Sequence, residues 1–172
     1  MSNFASLTKG GDRATTVDTN TPELSFKFSR FNELSLDELY DIMVARQEVF
    51  VTEQRIMYVD CDSKDQQAWH LVGRCPKTNR LVAYLRVLDP GVKSEFASIG
   101  RVLTRKPYRK KGYGRQLMHA ALSSCQKACP NAPLVMSAQA YLKTFYEAFG
   151  FKTDAKLYME EGIEHIHMRF DP

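Results

Sequence analysis

The chain has 172 residues, of which 44% are hydrophobic and 26% are charged, and its net charge is +4. This length and composition favour one globular domain with a sizeable core and exclude a disordered polymer. Because no apolar run approaches the ~20 residues that span a bilayer, and the N-terminus lacks the apolar core of a signal peptide, we expect a cytoplasmic protein without a membrane partner.

After an N-terminal tail, hydrophobic periodicity predicts alternating strands and helices. Residues 1–22 are rich in Ser, Thr, Gly and Asp and are predicted to be a mobile tail. A single domain is predicted over residues 23–172. Residues 35–38 form a capping box that starts the first helix. The predicted strands cover residues 24–31, 68–75, 81–88, 96–104, 134–138, 153–159 and 163–170, and the predicted helices cover 36 to about 51–54, 113–128 and 141–149.

This order, β-α-β-β-β-α-β-α-β-β, predicts an α+β fold in α/β/α layers. We expect a mixed, mostly antiparallel sheet of about seven strands with helices on both faces. No internal repeat and no second domain is expected. The four cysteines form no C-x-x-C pair, so reduced thiols are predicted instead of a disulfide or a metal site.

A basic turn between the fourth strand and the second helix is the most informative stretch. Six of the eleven residues from Arg105 to Arg115 are basic, and Arg109, Gly112 and Gly114 form an R-x-x-G-x-G pattern. Unpaired N–H groups and the dipole at a helix start favour a bound phosphate, and glycines let the backbone close around it. The rest of the chain carries 18 basic and 20 acidic residues. This local charge favours a small anionic ligand over nucleic acid; the alternative is a solvated basic loop.

The chain resembles the GCN5-related N-acetyltransferase (GNAT) superfamily. The similar features are the loop over residues 109–114 after an apolar strand, the strand–helix unit over 134–151, and the element order. Within that superfamily the ElaA-like branch is the most similar, through segments at 45–54, 99–102, 138–140 and 162–166. The resemblance implies a GNAT fold whose central strands splay apart, acetyl-CoA as donor, and direct attack by a small-molecule primary amine in a ternary complex. The residue pattern itself predicts no metal. A monomer or a homodimer is expected.

The resemblance also implies roles for residues around the splayed strands. The backbones of Val102 and Thr104 would bind the pantetheine arm, and an N–H near Val102 or Leu103 would receive the charge on the carbonyl oxygen. Tyr146, four residues before Gly150, would protonate the leaving thiolate; the alternative is a core tyrosine. The pyrophosphate would lie on the loop amides from Lys110 to Gly114. The residues of this loop expected to bind the cofactor are Arg109, Lys110, Lys111, Gly112, Tyr113 and Gly114.

The acceptor side is less defined by the sequence. Glu53 and His70 are the candidate bases that neutralise the amine, with a surface carboxylate and a satisfied strand histidine as the alternatives. Arg86 and Arg101 lie inside apolar strands, so they either pair with Glu48 or Glu53 or bind an anionic acceptor. For His165 a solvated strand face and a pocket position both remain open.

Two other function classes remain. One is the acyl-homoserine-lactone synthases, which share the fold. Their sequence pattern is similar to that formed here by Arg46, Phe50, Asp60 and Arg86. Arg46 is a further candidate for acceptor binding. The other is a non-catalytic module that binds CoA or nucleic acid through the basic turn. The first would consume S-adenosylmethionine, and the second would bind nucleic acid with a steep dependence on salt.

Overall fold

The computed structural model describes residues 21–153 and 155–172, so most of the predicted tail lies outside the described residues. The order of elements agrees with the prediction. The strands are β1 (Ser25–Arg30), β2 (Ala68–Arg74), β3 (Leu81–Leu88), β4 (Ala97–Thr104), β5 (Leu134–Gln139), β6 (Tyr158–Glu160) and β7 (Ile163–Phe170). The α-helices are α1 (Leu36–Arg46), α2 (Tyr113–Ala128) and α3 (Lys143–Glu147).

The strands form one seven-stranded sheet in the order β1-β2-β3-β4-β5-β7-β6. β4 and β5 run parallel, and every other neighbouring pair is antiparallel. This confirms the predicted mixed, mostly antiparallel sheet. Among the described residues, no helix is long and apolar enough to cross a membrane.

The helices cover both faces of the sheet, as predicted. α1 packs Ile42 and Ala45 against one face, where they meet Tyr84 of β3. α2 packs Leu117 and Met118 into the larger cluster on the other face. Apolar side chains at helical spacing drive this burial, which is the main favourable term in folding.

Local signals explain where the helices begin, and they explain less well where they end. The Ser35 hydroxyl accepts a hydrogen bond from the Glu38 N–H (3.1 Å), and the Glu38 carboxylate accepts one from the Ser35 N–H (2.8 Å), which confirms the capping box. The predicted first helix continues past α1 as a π-helical segment, Gln47–Glu53. The third predicted helix and the sixth predicted strand are shorter than expected, because a 3₁₀ turn (Ala140–Leu142) precedes α3 and only three residues pair in β6.

A β-bulge interrupts β4 in its second half. Leu103 pairs with Tyr84 and Gly100 pairs with Arg86, so two residues of β4 face one residue of β3. The first of them, Arg101, has a positive φ of 52°. The extra residue reverses the alternation of side chains, and for this reason Ile99 and Leu103 lie in the core clusters of opposite faces. The bulge thus directs the end of β4 toward different neighbours from its start.

Candidate active site

β4 and β5 separate at the centre of the sheet. They pair only from Ala97 and Leu134 to Ile99 and Met136, although both strands continue further. A cavity of about 800 Å³ opens where they part. Its walls come from the end of β4, the end of β5, the basic turn, α3, the π-helical segment and the β6–β7 turn.

The β4 wall of the cavity is an open strand edge. Gly100, Val102 and Thr104 line the cavity, and no strand of the described chain pairs with this side of β4 beyond Ile99. An unpaired edge presents backbone N–H and C=O groups to a ligand. One of these groups is already engaged, because the Thr104 carbonyl accepts a hydrogen bond from Arg109 Nε (2.8 Å). The bulge leaves one further residue out of the ladder with β3.

The basic turn brings the start of α2 to the same cavity. Gly112 precedes the helix with φ of +80°, a conformation in which an L side chain is strained. The first backbone bonds of α2 run from the N–H groups of Arg115 (3.0 Å) and Gln116 (3.2 Å) to the Gly112 carbonyl. The N–H groups of Tyr113 and Gly114 precede these bonds, so they have no acceptor within the helix itself. Lys110 also lines the cavity, whereas Lys111 is exposed outside it.

Two ion pairs tie the basic turn to the π-helical segment. Arg109 holds both carboxylate oxygens of Glu53, and Arg105 holds Glu48 at 2.9 and 3.0 Å. The hydrogen bond and the charge of Arg109 lower the pKa of Glu53, although partial burial opposes this. Glu53 therefore lines the cavity as an ion-paired carboxylate with little basicity, which speaks against its predicted role as the base.

Tyr146 combines the two alternatives considered for it. The residue is 4% exposed and packs against Phe145 and Phe151, as a core tyrosine would. It also lines the cavity. Burial and, to a lesser extent, the neighbouring Tyr141 side chain raise the pKa of the Tyr146 phenol, so it stays protonated at neutral pH and retains a proton to donate.

His70 has the features of a satisfied strand histidine, and the structure does not bring this predicted base to the cavity. It is fully buried outside the cavity. Nε2 lies 3.0 Å from the Asp65 carbonyl, which can only accept, so Nε2 carries the proton and Nδ1 accepts from the Tyr84 hydroxyl at 2.9 Å. Burial lowers its pKa against the opposing effect of Asp65. Both ring nitrogens are thus occupied by the fold.

The arginines predicted to bind an acceptor belong to a buried ion-pair network with the loop between the π-helical segment and β2. Arg46 is completely buried, and its guanidinium donates to Asp60 Oδ2 (2.6 Å), to the Asp60 carbonyl (2.8 Å) and to Asp65 Oδ1 (2.6 Å). Arg86 donates to both oxygens of Asp62 (2.7 Å each) and to Asp65 (2.8 Å). Neither arginine lines the cavity, so the structure does not bring them to the place predicted for an acceptor.

Arg101 links this network to the cavity. Its Nε lies 2.6 Å from Asp60 Oδ1, but that N–H does not point at the oxygen, and the hydrogen bond runs from Nη2 to the Asp60 carbonyl (3.1 Å). Arg101 lines the cavity, unlike Arg46 and Arg86. Ion pairing was one of the two predicted alternatives, but the partners are aspartates and not Glu48 or Glu53.

The cavity continues past Tyr146 to a polar end that the sequence analysis largely missed. His165 lines it, as one alternative foresaw, together with Ser137 and Glu160. Tyr58 and Lys93 complete this end. Burial and a hydrogen bond to Asp60 raise the pKa of Tyr58. No local motif marks Glu160; its position in the predicted β6–β7 turn was the available signal. Among the described residues, no cluster of three metal-binding side chains is found.

Residues 45–172 match the sequence model of the family described as "Acetyltransferase (GNAT) domain". A UPF0039 protein of Synechocystis is 42% identical over 86% of this chain and 96% of the relative. Protein ElaA of Escherichia coli is 39% identical over 80% of this chain and 90% of its own length. An acyl-CoA N-acyltransferase from Pseudomonas aeruginosa has a similar structure, with a TM-score of 0.80 and 36% identity over 86% of this chain and 99% of that one.

A CoA-dependent acyl-homoserine lactone synthase, BjaI, also has a similar structure. Its TM-score is 0.71 at 16% identity, and the match covers 87% of this chain and 82% of that chain. At this level of identity the likeness shows a common fold alone. Arg46, Asp60 and Arg86, to which the likeness in sequence pattern had drawn attention, are joined in the buried network.

Proposed function

Because the chain belongs to the GNAT acyltransferase family, in its ElaA-like branch, we propose that it acetylates a primary amine of a small molecule with acetyl-CoA as donor. The observation that carries this proposal is the separation of β4 from β5 beside the start of α2. One cavity thereby opens onto a strand edge that no described strand pairs with and onto N–H groups that have no acceptor within their helix. Two substrates held together there would react by direct attack, so the protein needs no nucleophile of its own.

In this proposal the CoA portion lies along β4 and the basic turn. The N–H groups of Tyr113 and Gly114, with neighbouring amides of the turn, hold the pyrophosphate, and Lys110 adds positive charge. The open edge of β4 around Val102 and Thr104 holds the pantetheine arm. Two positive charges of the basic surface are neutralised, because Arg105 pairs with Glu48 and Arg109 pairs with Glu53. This supports a small anionic ligand over nucleic acid.

The reacting groups meet where β4 bulges opposite the cavity face of Tyr146. An amine attacks the thioester carbon, and the carbonyl oxygen gathers negative charge. A backbone N–H released from the ladder by the bulge, near Val102 or Leu103, is the donor that stabilises this charge. Tyr146 gives its proton to the departing thiolate.

Calorimetric titration with acetyl-CoA and with CoA tests the donor site. Alanine in place of Gly112 is strained by about 1–2 kcal/mol at positive φ, so we expect Gly112→Ala to reshape the turn and weaken binding about tenfold. Gly91→Ala is the matched control: Gly91 also has a positive φ (+88°), an added methyl group there would have nothing within 4 Å of it, and the residue lies outside the cavity. Absence of binding by the wild type at millimolar acetyl-CoA would overturn the proposal.

A further inference from the structure

A hydrogen-bonded polar cluster closes the end of the cavity where β5, β6 and β7 meet. The Ser137 hydroxyl donates to Glu160 Oε2 (2.8 Å), and it in turn accepts from the Tyr158 hydroxyl. His165 lies between these strands, opposite Gln139 of β5 and Tyr158 of β6. The two ionisable side chains of this cluster that line the cavity, Glu160 and His165, therefore face the space that an acceptor would occupy.

The backbone fixes the tautomer of His165. Its Nδ1 lies 2.9 Å from the Ile163 carbonyl, and a carbonyl oxygen can only accept a hydrogen bond. Nδ1 therefore carries the proton in the neutral ring, and Nε2 keeps the lone pair that can accept one. All four histidines of the chain are described by the structure, and His165 is the one that lines the cavity.

Glu160 provides a fixed negative charge next to this imidazole. Burial alone would raise the pKa of Glu160, but the hydrogen bond from Ser137 and the charges of Lys93, His165 and Arg101 outweigh it and lower the pKa. The carboxylate thus stays ionised and is a poor base, while it can attract an ammonium group and stabilise an imidazolium. The charged and titratable groups that face His165 across the cavity end are Tyr58, Lys93, Arg101, Tyr158, Glu160 and Glu161.

We infer that His165 is the general base of the reaction and that Glu160 binds the cationic acceptor, which is a primary alkylammonium. This inference rests on the proposed function. His165 Nε2 takes one proton from the ammonium, and the amine lone pair then forms the C–N bond. The C–S bond breaks, and the thiolate takes the proton of Tyr146. The second amine proton restores Tyr146, so the products are an amide, CoA thiol and one proton held on His165 and released to solvent.

Comparing the acetylation of two amines of similar shape but different basicity distinguishes a catalytic base from a residue with only a structural role. Ethylamine is protonated near neutral pH and needs a base, whereas the fluorines of trifluoroethylamine keep most of it neutral. With saturating acetyl-CoA and thiol release as the readout, we expect His165→Gln to lower kcat/KM for ethylamine about 100-fold and to leave the value for trifluoroethylamine unchanged. Glu160→Gln should raise KM about tenfold for ethylamine alone.

The control lies on the same strand. Glu164→Gln, exposed at the start of β7 and outside the cavity, should act on both amines as the wild type does. Equal loss with both amines in His165→Gln, or no loss with either, would overturn the assignment of the base. A wild type that binds acetyl-CoA but acetylates neither amine would overturn the acceptor class, whereas failure to bind acetyl-CoA would overturn the proposed function itself.

Discussion

Replacing Arg46 by methionine tests the ion-pair network most directly. The substitution removes three hydrogen bonds from a side chain with no exposed surface. Breaking a buried pair from one side costs about 3–5 kcal/mol, because the other charge stays buried. Here Asp60 keeps the Tyr58 hydroxyl (2.8 Å) and Asp65 keeps Arg86 (2.8 Å), so the loss should lie at the low end.

We therefore expect Arg46→Met to lower the free energy of unfolding by about 3 kcal/mol and the melting temperature by about 6–12 °C for a chain of this size. Urea unfolding followed by the fluorescence of the single tryptophan, Trp69, measures the change. Lys27→Met is the control, because the Lys27–Glu38 pair is partly exposed and such pairs contribute about 1 kcal/mol or less.

The network also predicts how stability varies in acid. Burial would raise the pKa of Asp65, but Arg46 and Arg86 outweigh it and lower the pKa. A depressed carboxyl pKa contributes stability that is present above the unfolded value, about 4, and that is lost as the pH falls toward the folded one. The wild type should therefore lose stability more steeply in acid than Arg46→Met, with the two curves converging at low pH. Equal stability of the two proteins at neutral pH would refute this reasoning, since it would mean that desolvation cancels the ion pairs.

Two further predictions concern single side chains. Tyr146→Phe should lower kcat by about 100-fold and leave the calorimetric Kd for CoA unchanged, because only the proton for the thiolate is removed; normal turnover would exclude Tyr146 as the acid. Burial, with a smaller effect of Cys129, raises the pKa of the Cys125 thiol to about 11. Iodoacetamide should therefore modify the exposed Cys61 and Cys129 in the native protein and Cys125 only after unfolding, as measured by mass spectrometry. Rapid labelling of Cys125 in the native protein would contradict its burial.

Periodicity and capping were sufficient to predict the order of the elements and the start of α1, because both signals are local. α2 was predicted at Tyr113–Ala128, where it lies, since its apolar stripe and the prolines that follow it define both ends. The partners of Arg86 could not be predicted in this way. Asp62 and Asp65 lie more than twenty residues before it, in a loop without periodicity, and only the folded chain brings them together.

The polar end of the cavity illustrates a second limit. Glu160 and His165 lie on either side of a short turn, and their sequence context is that of ordinary exposed strand residues. Their significance comes from the separation of β4 and β5, which leaves the end of β5 open beside them. The position of Glu53 relative to Arg109 is likewise a property of tertiary packing, since 56 residues separate the two in the chain.

The aspartate-rich loop before β2 has a consequence for altering acceptor choice. The same loop carries Tyr58, which lines the cavity, and Asp60, Asp62 and Asp65, which join it to buried arginines. Engineering that replaces the whole loop by one without these aspartates would strip the arginines of their counter-ions and compromise folding before specificity changed. Libraries that vary Ile56 while Tyr58 and the aspartates stay in place would diversify the pocket without that penalty.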